Sequence, residues 1–140
     1  MNYQQEKNIE ALKKMQKQFT KSFNTYTINW IKKVKNAIEK NETIHNICEN
    51  ENGSFFMEFT DFHYGIFKEN DFKKLNKNLQ NFCEICGKIE SLTDSLPITE
   101  KEPTKESKKT LNNLLTNLLI NIPSKNEFNN WINESINNFK

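Results

Sequence analysis

The chain has 140 residues and a formal net charge of +2, and it contains eleven Phe, two Trp and three Tyr. This length is typical of a single domain with its own core, and the many aromatic residues argue against a disordered chain. All twenty basic residues are Lys, so the planar Arg fork used in sequence-specific DNA reading and in Arg-clamped catalysis is missing. Both of these function classes are disfavoured.

The compartment is predicted from the three Cys residues and from the N-terminal sequence. Three is an odd number, and the sequence MNYQQEKNIE lacks the apolar core of a signal peptide. We therefore expect reduced thiols in a cytoplasmic compartment. The longest apolar run, Leu118 to Ile120, is too short to cross a bilayer, so a soluble protein is expected. The excess of Lys and Asn indicates an AT-rich genome and suggests a phage or mobile-element origin.

The first predicted element is a helix from Tyr3 to Lys40, a stretch that contains neither Gly nor Pro. Its apolar residues recur in steps of three and four, which places them along one stripe of an α-helix. At a rise of 1.5 Å per residue, this helix would be roughly 55 Å long. The stripe consists of Ile9, Leu12, Met15, Phe19, Phe23, Tyr26, Trp30, Val34, Ala37 and Ile38.

The middle of the chain is predicted to be helical as well. A short helical piece is expected from Thr43 to Cys48, followed by a polar turn at residues 49–53. The aromatic stretch Ser54 to Phe67 fits two periods, because its first residues alternate as in a strand while the whole stretch follows helical spacing. A lone strand is marginal and no second strand candidate is nearby, so we predict a helix that ends near Gly65.

The next helix is predicted to start at Asn70 or Asp71, which would cap it, and to run to about Thr93. Residues 94–106 contain two of the three prolines and show no periodicity, so they are predicted to form a linker. The apolar stripe of the helix consists of Phe72, Leu75, Leu79, Phe82, Cys86, Ile89 and Leu92.

Two helices are predicted at the C-terminal end. Thr104 would cap the first, a Leu-rich helix that ends at residues 121–123. Ser124 and Glu127 form an S-x-x-E capping box, which predicts the start of the second. Its buried face would contain Phe128, Trp131, Ile132, Ser135, Ile136 and Phe139.

Together these elements predict an all-α fold, a compact bundle of four to five helices built on a long N-terminal amphipathic helix. The whole chain, residues 1–140, is predicted to be one helical domain. Within it we expect a main helical part at 3–93, the linker at 94–106 and a C-terminal helical hairpin at 107–140.

The cysteines suggest a metal site. His45 and Cys48 form an H-x-x-C pair, and Cys83 and Cys86 form a C-x-x-C pair. Together they would supply a Cys₃His set, which suffices for tetrahedral zinc. The alternative is that Cys83 and Cys86 are core thiols, because both fall on the apolar stripe of a helix. The interpretation of Cys83 and Cys86 as core thiols is favoured over the zinc site.

Charge is unevenly distributed along the chain. Residues 1–40 contain nine Lys and three Glu, whereas residues 41–70 contain one Lys and six acidic residues. Lys13, Lys17 and Lys21 form a basic ridge beside the apolar stripe of the first helix. The ridge could contact nucleic-acid phosphates, but a solvated helix face is favoured because the net charge is small.

The aromatic stretch offers a contact surface. Six aromatic residues within thirteen cannot all point to one side of a helix, so some are expected to be exposed and to contact a partner. Trp131 invites a similar but weaker argument. The candidate partner-binding residues are Phe55, Phe56, Phe59 and Tyr64, together with the basic ridge.

The sequence therefore predicts a non-enzymatic helical protein-interaction module, such as an adaptor, an inhibitor or an antitoxin-like partner of a larger macromolecule. The three glycines and the lack of nucleophile-elbow, P-loop and dinucleotide-binding motifs disfavour catalysis and a cofactor. One alternative is a zinc-stabilised regulatory module, and a second is a Lys-mediated nucleic-acid binder. Homodimerisation through the long helix is left open.

Overall fold

The N-terminal helical segment runs from Tyr3 to Glu39 in a computed structural model of the chain, which describes residues 2–44, 47, 67–94 and 102–140. Helix α1 covers Tyr3–Gln18, a π-helical segment covers Phe19–Thr27, and α2 covers Ile28–Glu39. The segment begins with a capping box, in which the side chain of Asn2 accepts a hydrogen bond from the backbone N–H of Gln5 at 2.8 Å. In return, the backbone N–H of Asn2 donates to the Gln5 side chain at 2.9 Å.

The segment ends where the sequence predicts, next to Lys40. Asn41 adopts a left-handed backbone conformation with φ of 56°. The N–H of Glu42 then donates to the carbonyl of Ala37 at 2.8 Å, and the N–H of Asn41 donates to that of Ile38 at 3.2 Å. This pair of bonds is a Schellman motif, which satisfies carbonyls that the end of a helix would leave free.

The predicted apolar stripe of this segment is confirmed as its buried side, although the side chain of Tyr26 lies outside the described part. The π-helical segment was not predicted. Its wider turn brings Phe19, Phe23 and Thr27, spaced four apart, to the buried side. The residues of the stripe that are buried are Ile9, Leu12, Met15, Phe19, Phe23, Trp30, Val34 and Ala37, and Ile38 is half-buried.

The helix predicted to start at Asn70 or Asp71 is divided in two, so its predicted start is wrong. One helical turn, α3, covers Glu69–Phe72, and the long helix α4 covers Lys77–Asp94. The side chain of Asn76 accepts hydrogen bonds from the N–H groups of Asn78 at 2.8 Å and Leu79 at 3.1 Å. Asn76 is therefore the residue that caps the long helix. The predicted end near Thr93 is confirmed.

The two C-terminal helices begin at the predicted caps. Helix α5 covers Lys105–Ile120, and the Thr104 hydroxyl accepts a hydrogen bond from the N–H of Ser107 at 3.1 Å. Helix α6 covers Lys125–Asn138 and starts with the predicted capping box. There the N–H of Glu127 donates to the Ser124 hydroxyl at 3.1 Å, and the N–H of Ser124 donates to the Glu127 carboxylate at 3.3 Å.

The N-terminal segment is covered along its length by both C-terminal helices. Helix α6 packs against α1, and α5 packs against α2, while α4 packs against both α5 and α6. Between α1 and α6, the Gln16 side chain donates to the Asn129 side chain at 2.8 Å. The Gln5 side chain donates to the backbone carbonyl of Phe139 at 3.0 Å.

An aromatic cluster fills the centre of the bundle. The rings of Phe19 and Phe128 stack with centroids 4.0 Å apart, and Phe23 lies 5.1 Å from Phe19. The rings of Phe82 of α4 and Phe128 form an edge-to-face pair with centroids 5.9 Å apart. Such pairs stabilise a core beyond the area they bury. The described part of the chain is compact and all-helical, so the predicted fold class is confirmed.

Several predicted elements lie outside the described residues. These are residues 45, 46 and 48 of the helical piece at 43–48, the polar turn at 49–53, the aromatic helix except for Phe67, and most of the linker. In the described part of the first piece, Thr43 and Ile44 are not helical, whereas Ile47 is. Phe67 is buried and stacks at 6.2 Å on Phe139. The division into the parts 3–93, 94–106 and 107–140 stays a prediction. Among the helices that the structure describes, none is long and apolar enough to cross a membrane.

Candidate binding groove

A groove forms where α4 passes the turn between α5 and α6. One side of α4 faces the core through Leu79, Phe82 and Cys83. The neighbouring side of this helix remains accessible, with Asn78 exposed and Ile85 half-buried. This side of α4 forms one wall of the groove.

The turn between α5 and α6 forms the second wall. Ile120, the last residue of α5, is 77% exposed, whereas Pro123 is buried and Ile122 is half-buried. Asn121 closes the end of α5, with its side chain donating to the Asn117 carbonyl at 2.7 Å. The position of Ile120 is thus set by a capped helix end.

Trp131 of α6 contributes the largest side chain in the groove. Its ring centroid lies 6.5 Å from that of Phe82 and 6.2 Å from that of Phe128, in tilted arrangements. One side of the indole therefore rests on the aromatic core, and the ring is half-buried. A ring held in this way is an ordered apolar surface, which loses little entropy when a partner binds.

The groove has a volume of about 590 Å³, within the range of typical ligand sites. Most of its accessible lining is polar, and the apolar part around Ile120 and Trp131 can hold one large apolar side chain. The described lining residues are Asn78, Asn81, Phe82, Glu84, Ile85, Lys88, Ile120, Asn121, Ile122, Pro123, Glu127 and Trp131. No Ser, Cys or His is among these described lining residues, and the titratable side chains in it are those of Glu84, Lys88 and Glu127.

Comparison of the chain with protein-family models, with curated proteins and with solved structures found no match.

The basic ridge of the first helix is on the surface. Lys13, Lys17 and Lys21 are exposed, and Lys14 extends the ridge on α1. We call these four residues the lysine face. None of the four has an ion pair or hydrogen bond within the part of the chain that the structure describes.

Cys83 and Cys86 are fully buried in α4. Burial raises the pKa of the Cys83 thiol from 9.0 to about 12, with a smaller contribution from the charge of Glu84. Burial also raises the pKa of the Cys86 thiol well above 9.0, followed by contributions from Cys83 and Glu90. Both side chains therefore favour the protonated form at neutral pH.

The other half of the predicted zinc set, His45 and Cys48, lies outside the described residues. Among residues 2–44, 47, 67–94 and 102–140, no group of three or more His, Cys, Asp or Glu side chains is placed to hold a metal ion. The zinc site stays a prediction. The predicted contact residues Phe55, Phe56, Phe59 and Tyr64 also lie outside the described part.

The groove was not predicted from the sequence. One indication was present, since Ile120 lies off the stripe formed by Leu111, Leu115 and Leu118 and thus on the solvent side of α5. The arrangement of α4 beside the α5–α6 turn depends on tertiary packing, which local periodicity does not encode.

Proposed function

We propose that the protein is a non-enzymatic helical interaction module of the cytoplasm, and that a protein partner docks in the groove between α4 and the α5–α6 turn. The observation that carries this proposal is the exposed Ile120 beside the half-buried Trp131. Trp is enriched among the residues that dominate binding at protein interfaces, and Ile120 adds exposed apolar surface to the groove that Trp131 lines.

The lining also indicates what kind of segment would bind. Asn78 and Asn81 lie three apart on α4 and are exposed, so they can face the same ligand. Their side-chain amides offer both donors and acceptors, which suit the backbone of a bound peptide. The partner would then be a protein segment that places one large apolar side chain against Trp131, as an adaptor or inhibitor contact requires.

The test compares two variants that each place an acid at an exposed apolar position. Ile120→Glu alters the groove, whereas Tyr3→Glu alters α1, where Tyr3 is 74% exposed. Because both side chains are exposed, both variants should retain stability within about 0.5 kcal/mol. Peptides selected from a random library on the wild-type protein should share a large apolar anchor.

The selected peptides should bind Ile120→Glu at least about tenfold more weakly than the wild-type protein, as expected at a hot spot. They should bind Tyr3→Glu as they bind the wild-type protein. Equal binding to all three proteins, or no enrichment of apolar anchors in the selection, would contradict the proposal.

A further inference from the structure

The N-terminal helical segment contains a long run of residues without an acid. Residues 11–38 include seven Lys and no Asp or Glu. Four of these lysines make up the lysine face, which extends from α1 into the π-helical segment. From Lys13 to Lys21 this face is roughly 12 Å long at the rise of an α-helix.

The surroundings do not neutralise this charge in the described part of the chain. Helix α6 packs against α1 and has two acidic residues, Glu127 and Glu134. Glu127 belongs to the capping box of α6, and Glu134 accepts a hydrogen bond from the Asn76 side chain at 2.5 Å. Neither carboxylate forms an ion pair with the lysine face among the described residues.

A depression of about 510 Å³ follows the same side of α1. Its described lining contains four Lys and one acid, so the local balance is strongly positive. These residues are Lys7, Glu10, Ala11, Lys13, Lys14 and Lys17. The concave shape lets several ammonium groups approach one bound anion, which raises the local attraction.

We propose that the lysine face binds the phosphate backbone of a nucleic-acid duplex without reading its sequence. Lys holds phosphate as a compact point charge, and base-specific readout by an Arg fork is not available to a chain without Arg. A duplex presents one charge per roughly 1.7 Å of its axis, so phosphates are within reach of the lysine face at any position along it. Binding therefore needs no partner surface of complementary shape.

The duplex is favoured over a single strand by the position of the aromatic rings. Single strands are bound by stacking their bases on exposed aromatic side chains. On the run at 11–38, the described aromatic rings of Phe19, Phe23 and Trp30 are all buried. The exposed Tyr3 lies roughly 15 Å before Lys13 along α1, so it gives a single strand one stacking platform at most beside the face. The lysine face also shares no residue with the groove, so the two surfaces can be tested independently.

The test measures binding of fluorescent duplexes of about 20 base pairs and random sequence, as DNA and as RNA, at about 50 mM and about 200 mM salt. If three phosphates are neutralised, the affinity for DNA should fall roughly 40-fold between these two conditions. The variant Lys13→Gln/Lys17→Gln/Lys21→Gln should lose most of the binding and most of its salt dependence.

A charge-matched variant, Lys105→Gln/Lys109→Gln/Lys125→Gln, changes three exposed lysines on α5 and α6. Its affinity for the duplexes should lie within about twofold of that of the wild-type protein if binding depends on the lysine face and not on the net charge of the chain. The proposal is overturned if neither duplex binds at low salt, or if the two triple variants lose affinity equally. It is also overturned if labelled polyglutamate binds more tightly than the duplexes, which would indicate an acidic protein instead.

Discussion

The ring of Phe19 lies almost parallel to the ring of Phe128, with centroids 4.0 Å apart and 13° between their planes. Phe19 is the first residue of the π-helical segment, and Phe128 lies near the start of α6. Both side chains are fully buried. This contact joins the middle of the N-terminal helical segment to the last helix of the chain.

Replacing Phe128 by alanine should lower the free energy of unfolding by about 3–5 kcal/mol, because the variant loses apolar burial and leaves a cavity among the core rings. Urea unfolding followed by circular dichroism measures this change. Tyr3→Ala is the matched control, since Tyr3 is 74% exposed and its loss should cost no more than about 0.5 kcal/mol. Similar losses in both variants would mean that this cluster is not the centre of the core.

The start of α4 gives a second prediction. Asn76→Ala should lower the free energy of unfolding by about 0.5–2 kcal/mol, because the N–H groups of Asn78 and Leu79 lose their cap. Asn70→Ala changes one of the two residues, Asn70 and Asp71, that the sequence pattern predicts as the cap, and it should have little effect because Asn70 is exposed. The reverse order of the two effects, measured by urea unfolding, would show that the helix begins at Asn70 after all.

Glu102 connects the end of the N-terminal segment to α5. Its carboxylate accepts a hydrogen bond from the backbone N–H of the buried Ile44 at 2.7 Å and lies 2.6 Å from the Lys108 ammonium. Glu102→Ala should cost about 1–3 kcal/mol, because the Ile44 N–H loses its partner. Glu106→Ala removes an exposed acid of α5 and should cost less than about 0.5 kcal/mol in the same unfolding experiment.

The two buried thiols predict a dependence of stability on pH. Folding raises the pKa of Cys83 from 9.0 to about 12, and it raises that of Cys86 well above 9.0. The folded thiols thus keep protons that the unfolded chain releases above pH 9. Their contribution to stability is complete below pH 9 and is lost as the pH rises from 9 towards 12.

Unfolding by urea at pH 7 and at about pH 10 should therefore show a larger loss for the wild-type protein than for Cys83→Ala/Cys86→Ala. The Lys and Tyr residues are the same in both proteins, so their titration contributes equally to the two losses of stability and does not affect the comparison. Equal losses would contradict the assignment of neutral buried thiols.

The same assignment predicts little bound metal. Protein purified without added zinc or chelator should contain less than about a tenth of an equivalent of zinc, because structural zinc binds thiolates. Melting of Cys83→Ser should then be independent of added zinc. One equivalent of zinc, together with melting that depends on it, would favour the alternative set of His45, Cys48, Cys83 and Cys86.

Much of this fold could be predicted from local patterns. Steps of three and four located the N-terminal helical segment, and the caps at Thr104 and Ser124 located α5 and α6, because each cap binds N–H groups within three residues of itself. The start of α4 was missed because Asn70, Asp71 and Asn76 all satisfy the capping preference. Tertiary contacts decide among them, since Asp71 accepts a hydrogen bond from Asn8 of α1 and the N–H of Asn76 donates to Ser135 of α6.

The candidate sites were only partly predictable. The exposure of Lys13, Lys17 and Lys21 follows from their place beside the apolar stripe rather than on it, and the structure agrees with it. The groove could not be predicted in the same way. Its shape depends on the distance between α4 and the α5–α6 turn. The spacing of apolar residues within one helix carries no information about that distance.

The pairing of the first helix with the last has a consequence for synthesis on the ribosome. Gln16 and Asn129, which form a hydrogen bond, are separated by 113 residues. At a synthesis rate of about 5–20 residues per second, roughly 5–25 s pass between the synthesis of α1 and that of α6. The apolar stripe of α1 is not covered by α6 during this time. We expect chaperones to bind the stripe during this interval, and slowing translation should increase aggregation of the new chains.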